Sequence, residues 1–410
     1  MKILFLCQYF PPEMGAPAAR THEHARHWAQ QGHDVTVVCG IPNHPNGIVP
    51  EQYRGTPLYR ETIDGIRVLR CWLYATPNKG VLLRSLSFAT FMFSAIFFAV
   101  VAAPKCDVVV ATSPQLLCGL AGYIVAFLKR RPFVLEVRDL WPRQIVDLGV
   151  VKNKWVIRLL TGIEMFLYRR AKGIVTVAEA TTGEIASRGV PLKKLHTITN
   201  GIDEEFFTPQ NRMVHLRELG AWGESIVVMY VGTHGLSQGL STILETADLL
   251  RSNPNIRFVF VGSGAEREML IEKAREMYLD NVDFLPMQPK EKMPECYAAA
   301  DICLVPLKKR AVFLYNIPSK IFEIMACARP IVLGVEGQAK EVVEEAGAGI
   351  TVEPENPKAF AEAITRLAED EDLRCDYGEQ GRAFAITHYS RRQKAEKYLN
   401  CLQEILDRTK

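Results

Sequence analysis

The feature that most constrains the fold of this chain is a regular alternation of short β-rich runs with longer helical patterns. The runs of the first half are KILFLC at 2–7, DVTVVC at 34–39, DVVVA at 107–111, PFVLEV at 132–137 and GIVTVA at 173–178. They are apolar throughout instead of alternating, which is typical of parallel strands that helices cover on both faces. The pattern therefore predicts an α/β fold with βαβ units in a doubly wound parallel sheet.

The same rhythm begins again after TNGID at 199–203, with the runs SIVVMYVG, IRFVFVG, VDFL, DICLVPL and PIVLGV. We therefore predict two Rossmann-like domains, 1–203 and 204–388, and a last helix, 389–410, that crosses back to the first domain. Ligands of such sheets bind at the carboxyl ends of the strands. The site is expected in a cleft that the two domains face.

The charge of the chain is unevenly distributed. Lys+Arg is 49 and Asp+Glu is 46, a formal net charge of +3, which argues against a protein that coats nucleic acid. Residues 1–205 carry 24 basic and 16 acidic side chains, and residues 206–410 carry 25 and 30. The first half is therefore the one expected to meet an anionic surface or ligand.

The ten cysteines are scattered and form no C-x-x-C pair. This spacing favours reduced, buried thiols over a zinc site or a disulfide framework. The apolar run after Lys2 is too short for the core of a signal peptide, so a cytoplasmic protein is expected.

One segment, Leu86–Ala103, is eighteen residues long and carries no charge. As a helix it would measure about 27 Å, slightly less than the roughly 30 Å of a bilayer's hydrocarbon core. A membrane span is disfavoured because the strands on either side should share one sheet. Two interpretations stay open, a buried core helix or a helix docked on a membrane.

The docked interpretation depends on which side chains of this helix face outward. Helical spacing lets Phe91 and Ala95 face the sheet while Phe93 and Phe97 point elsewhere. Basic residues precede the segment, at 79 and 84, and end a later helix, at 129–131, so an anionic leaflet is the expected surface.

Two glycine loops are candidates for anion binding. In YFPPEMGAPAART, Gly15 opens a helix whose amino-terminal N–H groups favour an anion, although a plain tight turn is the alternative. In YVGTHGLSQGL, Gly232 and Gly239 flank His234, which either donates to a phosphate or is structural. Neither loop has the G-x-G-x-x-G pattern of a nicotinamide site.

The block YNIPSKIFEIMACARPIVLG combines a helix start with charge. Ser319 lies at the first turn, Lys320 adds a cation, and Glu323 falls on the same helical face. This arrangement suits phosphates at the helix start and a ribose diol on the carboxylate. The alternative is an ordinary Lys–Glu surface pair.

The sequence EVRDLWPRQIVDLG follows a predicted strand directly and so lies at its carboxyl edge. Arg138 can hold a diphosphate or a sugar carboxylate there, and Asp139 can orient it or act as a base. A structural Arg–Asp pair is the alternative.

Taken together, these motifs resemble those of family-4 retaining glycosyltransferases of the GT-B fold, in the branch that builds bacterial surface polysaccharides. The resemblance runs nearly end to end. It includes the Gly15 loop, QGHDVTVV, TNGID, VGSGAERE, YAAADICLVPL, PSKIFEIMACARPIV and the closing HYS. RDLWP and IPSK resemble a subgroup with L-fucosamine transferases of O-antigen and capsule synthesis.

The resemblance implies a UDP-sugar donor that is held mainly by the second domain, with no metal or other cofactor. It implies that Arg138, Asp139 and Lys320 are catalytic and that Glu323 binds the ribose. The residues expected around the donor are Gly15, Gly232, His234, Gln238, Met287, Gln288, Ser319, Lys320 and Glu323.

Three positions depart from the family's pattern. Tyr315 stands where relatives have the first glutamate of a pair, and Arg138 stands where many have a histidine. Thr233 and Gln238 replace the basic residues of the glycine loop. Neutralising a diphosphate would then fall to Lys320 and to the cations at 308–310.

The leading hypothesis is a hexosyltransferase on the inner face of the membrane. It would move an N-acetyl-hexosamine, such as N-acetyl-L-fucosamine, from a UDP-sugar to a polyprenyl-diphosphate-linked acceptor. Two alternatives stay open: a nucleotide-sugar epimerase of the same fold, and a non-catalytic nucleotide-binding partner of a transferase.

Overall fold

The computed structural model describes residues 1–13, 15–44, 46–77, 81–210 and 214–409. Lys79, a cation expected to assist membrane docking, lies outside these residues. The chain forms two compact units, one of residues 1–200 and 391–410 and the other of residues 201–390. Along the sequence, the ends of both units lie within a few residues of the predicted domain limits.

The first unit is built on an eight-stranded sheet with the strand order β3-β4-β2-β1-β5-β6-β7-β8. All neighbours are parallel except β3 and β4, an antiparallel pair that the sequence analysis missed. The strands are β1 Lys2–Leu6, β2 Asp34–Gly40, β3 Leu58–Ile63, β4 Ile66–Cys71, β5 Val108–Ser113, β6 Phe133–Val137, β7 Gly173–Thr176 and β8 Leu195–Thr197.

Six α-helices connect these strands or follow them: α1 Ala16–Gln30, α2 Val81–Val101, α3 Leu116–Lys129, α4 Arg143–Asp147, α5 Lys154–Arg170 and α6 Glu179–Ser187. The five predicted strands of this half are all present. They form because runs of β-branched and aromatic residues bury both faces of the central strands.

The second unit has a six-stranded, fully parallel sheet with the order β11-β10-β9-β12-β13-β14. Its strands are β9 Ile226–Val231, β10 Ile256–Val261, β11 Val282–Leu285, β12 Ile302–Pro306, β13 Ile331–Gly334 and β14 Gly349–Thr351. Its helices are α7 Val214–Leu219, α8 Ser241–Leu249, α9 Arg267–Glu276, α10 Met293–Ala299, α11 Lys320–Ala326, α12 Gln338–Glu345, α13 Pro357–Glu369 and α14 Glu371–Tyr389. Two successive Rossmann-like sheets are thus confirmed.

The last helix, α15 (Arg391–Asp407), belongs to the first unit and packs against α1. Trp28 of α1 is fully buried, and its Nε1 donates a hydrogen bond to the Ala395 carbonyl at 2.9 Å. The Trp28 ring meets that of Tyr398 edge to face, with centroids 5.2 Å apart. Leu402 and Ile405 continue the contact into the core of the first sheet.

Helix α2 starts five residues earlier than the uncharged segment and is long and apolar enough to cross a membrane. The strands on either side of it, β4 and β5, lie in one sheet, as expected. Phe91 and Ala95 are fully buried, whereas Phe93 and Phe97 are 67% and 59% exposed. Only 22% of its most apolar window is buried, so the interpretation of α2 as a fully buried core helix is wrong.

All ten cysteines are free thiols, and only Cys375 is exposed. Within the described residues no group of three or more His, Cys, Asp or Glu side chains could hold a metal ion.

Candidate functional site

The glycine loop after β9 lies beside the loop after β10 at the carboxyl edge of the second sheet. The Gly232 N–H donates to the Val261 carbonyl and the His234 N–H to the Ser263 carbonyl, both at 2.9 Å. A Cβ on Gly262 would lie 1.8 Å from the Gly232 oxygen. The two loops thus approach closely because one of them carries no side chain there.

Lys320, the first residue of α11, projects onto this loop. Its Nζ lies 4.0 Å from the centre of the Tyr230 ring, and 2.6 Å from the point that a Cβ on Gly232 would occupy. Burial lowers the pKa of Lys320 to about 8. No carboxylate of the described residues comes within 4.0 Å of this amine, so a cation without a direct ion-pair partner lies beside the glycine loop.

The other cations considered for a diphosphate are each paired with an acid. Lys308 lies 4.0 Å from Glu266, Lys309 2.7 Å from Glu353, and Arg310 3.5 Å from a further glutamate. These pairs reduce the positive charge available to a ligand, so Lys320 is the strongest candidate of the four.

Glu323 lies one turn after Lys320, and its carboxylate accepts a hydrogen bond from a side chain of another helix. The Tyr297 hydroxyl donates to Glu323 Oε2 at 2.8 Å. Burial raises the pKa of Glu323, and the hydrogen bond from Tyr297 opposes that rise. The Lys320 and Glu323 side chains form no ion pair within 4.0 Å, which argues against the ordinary surface pair. Tyr297 begins the YAAADICLVPL motif, but its contact with Glu323 was not predicted.

Ser319 precedes α11 at the N-cap position, but its hydroxyl makes no capping hydrogen bond. The sequence signal for a helix start is therefore correct, and the expected hydroxyl cap is absent.

His234 of the glycine loop lies in an aromatic environment. Its side chain is fully buried, in contact with the rings of Tyr230, Phe260 and Phe284. Burial lowers the imidazole pKa to about 4, so the ring is neutral at pH 7. The aromatic contacts fit a structural role for His234, and its contact with the donor stays a prediction.

The other donor residues predicted in the second unit lie in loops at the same edge. The Gln238 N–H donates to the Gly235 carbonyl at 3.2 Å, and its Oε1 accepts from the Ser237 hydroxyl at 3.2 Å. Met287 and Gln288 follow β11, with the Met287 side chain exposed and Gln288 Nε2 donating to the Pro286 carbonyl at 3.2 Å.

In the first unit, Gly15 has a φ of 119° directly before α1 and is exposed. Glu13 of the same loop is buried, and its Oε1 accepts the N–H groups of Asn43 and His44, both at 3.0 Å. Burial raises the pKa of Glu13 to about 7. Glu13 was not predicted as a site residue, and its one sequence signal is a lone acid in an apolar, proline-rich turn.

Arg138 follows β6 and is almost completely buried. Its Nε and Nη1 atoms have no hydrogen-bond partner among the described residues. Burial lowers its pKa, and the nearby Glu136 opposes this shift. Glu136 itself already binds Arg20 and Thr112, both at 3.1 Å. The Arg138 guanidinium is thus a buried donor that an anionic group could satisfy, and the half-buried Asp139 follows it.

Comparison with known families covers both units. Residues 15–201 match the family described as Glycosyl transferase 4-like domain, and residues 214–384 match Glycosyl transferases group 1. A protein of Escherichia coli K12 named as a colanic acid biosynthesis glycosyl transferase, WcaI, is 28% identical over 89% of this chain and 91% of its own. A protein of Pseudomonas aeruginosa named as a glycosyltransferase, WbjE, is 28% identical over 83% and 85%.

Solved structures with the same fold are similar over nearly the whole chain. Sucrose-phosphate synthase of Thermosynechococcus elongatus has a TM-score of 0.79 at 19% identity and covers 99% of both chains. HepE of Anabaena, solved in complex with UDP-glucose, has a TM-score of 0.75 at 18% identity over 98% of this chain and 100% of its own. The protein is therefore a glycosyltransferase of the GT-B fold and belongs to family 4/group 1.

Proposed function

We propose that the protein transfers a sugar from a UDP-sugar to a polyprenyl-diphosphate-linked acceptor during synthesis of a bacterial surface polysaccharide. The name of the E. coli relative supports the pathway, and the UDP-glucose complex of HepE supports the donor class. N-acetyl-L-fucosamine, or another N-acetyl-hexosamine, is the sugar we propose to test first.

The observation that carries the donor assignment is the unpaired Lys320 amine against the Gly232 loop. A diphosphate placed there would gain the Lys320 charge and the close backbone approach that glycine permits. Glu323, oriented by Tyr297, would accept hydrogen bonds from the ribose hydroxyls, and Met287 and Gln288 would meet the base.

In this proposal the sugar leaves with its anomeric configuration retained, and an oxygen of the departing diphosphate takes the proton of the acceptor hydroxyl. The protein contributes orientation and charge stabilisation of the leaving group. No metal or other cofactor takes part in the proposed reaction.

The acceptor would bind to the first unit. Arg138 offers unsatisfied N–H groups to its diphosphate, Asp139 would orient the acceptor, and Gly15 lets the backbone approach the reacting groups. The exposed face of α2 would rest on the inner leaflet of the cytoplasmic membrane, which makes the protein peripheral.

The test is acceptor-dependent release of UDP from a panel of UDP-sugars, with an undecaprenyl-diphosphate-linked sugar as acceptor. Lys320→Ala should lower the rate by well over tenfold, since more than 1.4 kcal/mol of transition-state stabilisation is removed. Lys309→Ala, a cation already paired with Glu353, is the matched control and should retain the wild-type rate.

Two results would contradict the proposal. Release of UDP no faster than hydrolysis across the whole panel would indicate a non-catalytic nucleotide-binding protein. A new nucleotide sugar formed from the donor alone would indicate an epimerase.

A further inference from the structure

The first unit exposes an apolar surface that extends beyond α2. Helix α3 packs against α2 on one side and α5 on the other. These three helices carry half of the large apolar side chains that the described residues expose. The most exposed include Leu82, Phe93, Phe127 and Trp155, at 85%, 67%, 71% and 79%. Soluble monomers rarely expose apolar patches of this extent without a binding role.

A groove of about 430 Å³ lies between α3 and α5 within this surface. Leu120 lines one wall, and Trp155, Leu159 and Phe166 line the other. The groove is open partly because Gly162 lies in α5, where an added Cβ would touch no atom within 4 Å. Its lining is almost entirely apolar, so it suits a hydrocarbon chain.

The charges of the side chains around the groove favour one kind of occupant over another. Lys154 and Arg158 of α5 and Arg130 and Arg131 after α3 form no ion pair among the described residues. The acid of α5, Glu164, is buried and already accepts from Tyr168 and Arg188. The basic excess of the first half lies between residues 81 and 172. A second copy of this surface would be repelled, whereas anionic lipid would be attracted.

We infer that the α3/α5 groove takes one hydrocarbon chain of an anionic membrane lipid, with Arg158 at the edge of the groove against the lipid's headgroup. The protein would then dock on the bilayer through α2, α3 and α5 together, with Trp155 as an interfacial anchor. This inference rests on the proposed function, which places the protein on a membrane, and adds a second site of contact to α2.

The experiment measures binding of the full chain to vesicles of phosphatidylcholine with and without phosphatidylglycerol. The double variant Trp155→Glu/Leu159→Glu should bind the anionic vesicles at least about tenfold more weakly, because two inserted apolar side chains are lost. Arg158→Glu should weaken binding to anionic vesicles about tenfold or more and leave neutral vesicles unaffected. Leu192→Glu is the control, since Leu192 is 70% exposed on the same unit outside these helices.

A second readout places Trp155 within the lipid. Phosphatidylglycerol with brominated acyl chains should quench part of the protein's tryptophan fluorescence, and Trp155→Phe should abolish that part. Circular dichroism and UDP affinity unchanged from wild type establish that each variant is folded.

Two results would overturn the inference. One is wild-type vesicle binding by the double variant while Phe93→Glu/Phe97→Glu in α2 loses it, which would limit the contact to α2. The other is a dimer that the double variant converts to a monomer with unchanged vesicle binding, which would make the surface an interface between copies. Because vesicle binding is measured without donor or acceptor, failure of the proposed transfer reaction would be seen separately.

Discussion

Lys320 is unusual because its amine is buried and no carboxylate of the described residues lies within 4.0 Å of it, although the Glu323 charge opposes part of the effect of burial. Burial favours the neutral amine, and this lowers the pKa to about 8. An anion bound beside Gly232 would favour the charged form again. Binding and protonation at this side chain should therefore be coupled.

The first prediction follows from this coupling. As the pH rises through about 8, free Lys320 loses its proton, so the affinity for UDP should fall by up to about tenfold for each further pH unit. Isothermal titration calorimetry from pH 7 to 10 measures the change. Lys320→Arg, which stays charged throughout, should show a nearly flat profile. Equal slopes in both proteins would contradict a role for Lys320 in binding the diphosphate.

The second prediction concerns Glu13, whose buried carboxyl has its pKa raised from 4.5 to about 7. The folded state therefore holds this proton more tightly than the unfolded chain does. Its contribution to stability is fully present below pH 4.5 and is lost as the pH rises through 7, a change of about 3 kcal/mol. Glu13→Gln keeps an acceptor for Asn43 and His44 and should remove this part of the pH dependence. Urea unfolding at pH 5 and pH 8 measures it, with no difference from wild type as the contrary outcome.

The contrast between these residues and their partners shows which contacts could be predicted from the sequence. Ser319, Lys320 and Glu323 lie within one short motif, so their proximity follows from helical spacing alone. The partners of Glu13 and Glu323 lie 30 and 26 residues away along the chain, and no local pattern predicts such contacts. The glycines around His234 predict a contact with the donor, whereas the aromatic residues that bury its ring come from three strands and could not be predicted from the local sequence.

At the scale of elements, two helical glycines have opposite surroundings. A Cβ on Gly162 of α5 would meet nothing within 4 Å, whereas a Cβ on Gly122 of α3 would lie 2.3 Å from the Cβ of Ala111. Helix α3 therefore lies this close to strand β5 because residue 122 has no side chain, and α5 has no such constraint at residue 162.

The third prediction uses this pair. Gly162→Ala should raise the free energy of unfolding by about 0.5–1 kcal/mol, because alanine restricts the unfolded chain and favours the helix. Gly122→Ala should lower it by about 1–3 kcal/mol, because the packed strand must shift. Thermal and denaturant unfolding of both variants measure the two changes. A loss of stability in Gly162→Ala would mean that the space beside α5 is not open in solution.

The strands with continuous apolar sequences could be predicted, and the polar or very short strands could not. Central strands such as β1 and β9 bury both faces and so read as continuous apolar runs. The β3 segment, LYRETI, lies at the sheet edge and has three polar residues in succession, and β8 and β14 have three residues each. Such segments are strands because a neighbour supplies hydrogen bonds, which a single sequence does not record.

The beginning of α2 was predicted too late for a related reason. Arg84 interrupts the apolar run, yet a helix can carry a cation on an exposed side. Its guanidinium lies over the Phe88 ring, 5.8 Å from the centroid, so the charge remains in water beside an aromatic face.

At the scale of the whole molecule, the two units differ in the number of chain segments that form them. The second unit is one continuous segment, 201–390, whereas the first needs residues 1–200 and 391–410 together. Without α15, the Trp28 side chain would lose its hydrogen bond to the Ala395 carbonyl and its contact with the Tyr398 ring.

The fourth prediction is that residues 201–390 fold alone and bind UDP with an affinity close to that of the full chain. Residues 1–200 alone should be unstable and aggregate, because the groove that α15 fills exposes buried apolar side chains. Adding a peptide of residues 391–410, or fusing it by a flexible linker, should restore a cooperative unfolding transition. A stable 1–200 fragment would show that α15 is dispensable.

The place of α15 in the first unit also orders events during synthesis. A ribosome delivers residues 1–200 long before residue 391, so the first sheet stays open on its α1 side while the second unit is completed. The first unit can therefore be completed only after all of residues 201–390 have been synthesised, so a fault in the synthesis of the second unit would also leave the first one unfinished.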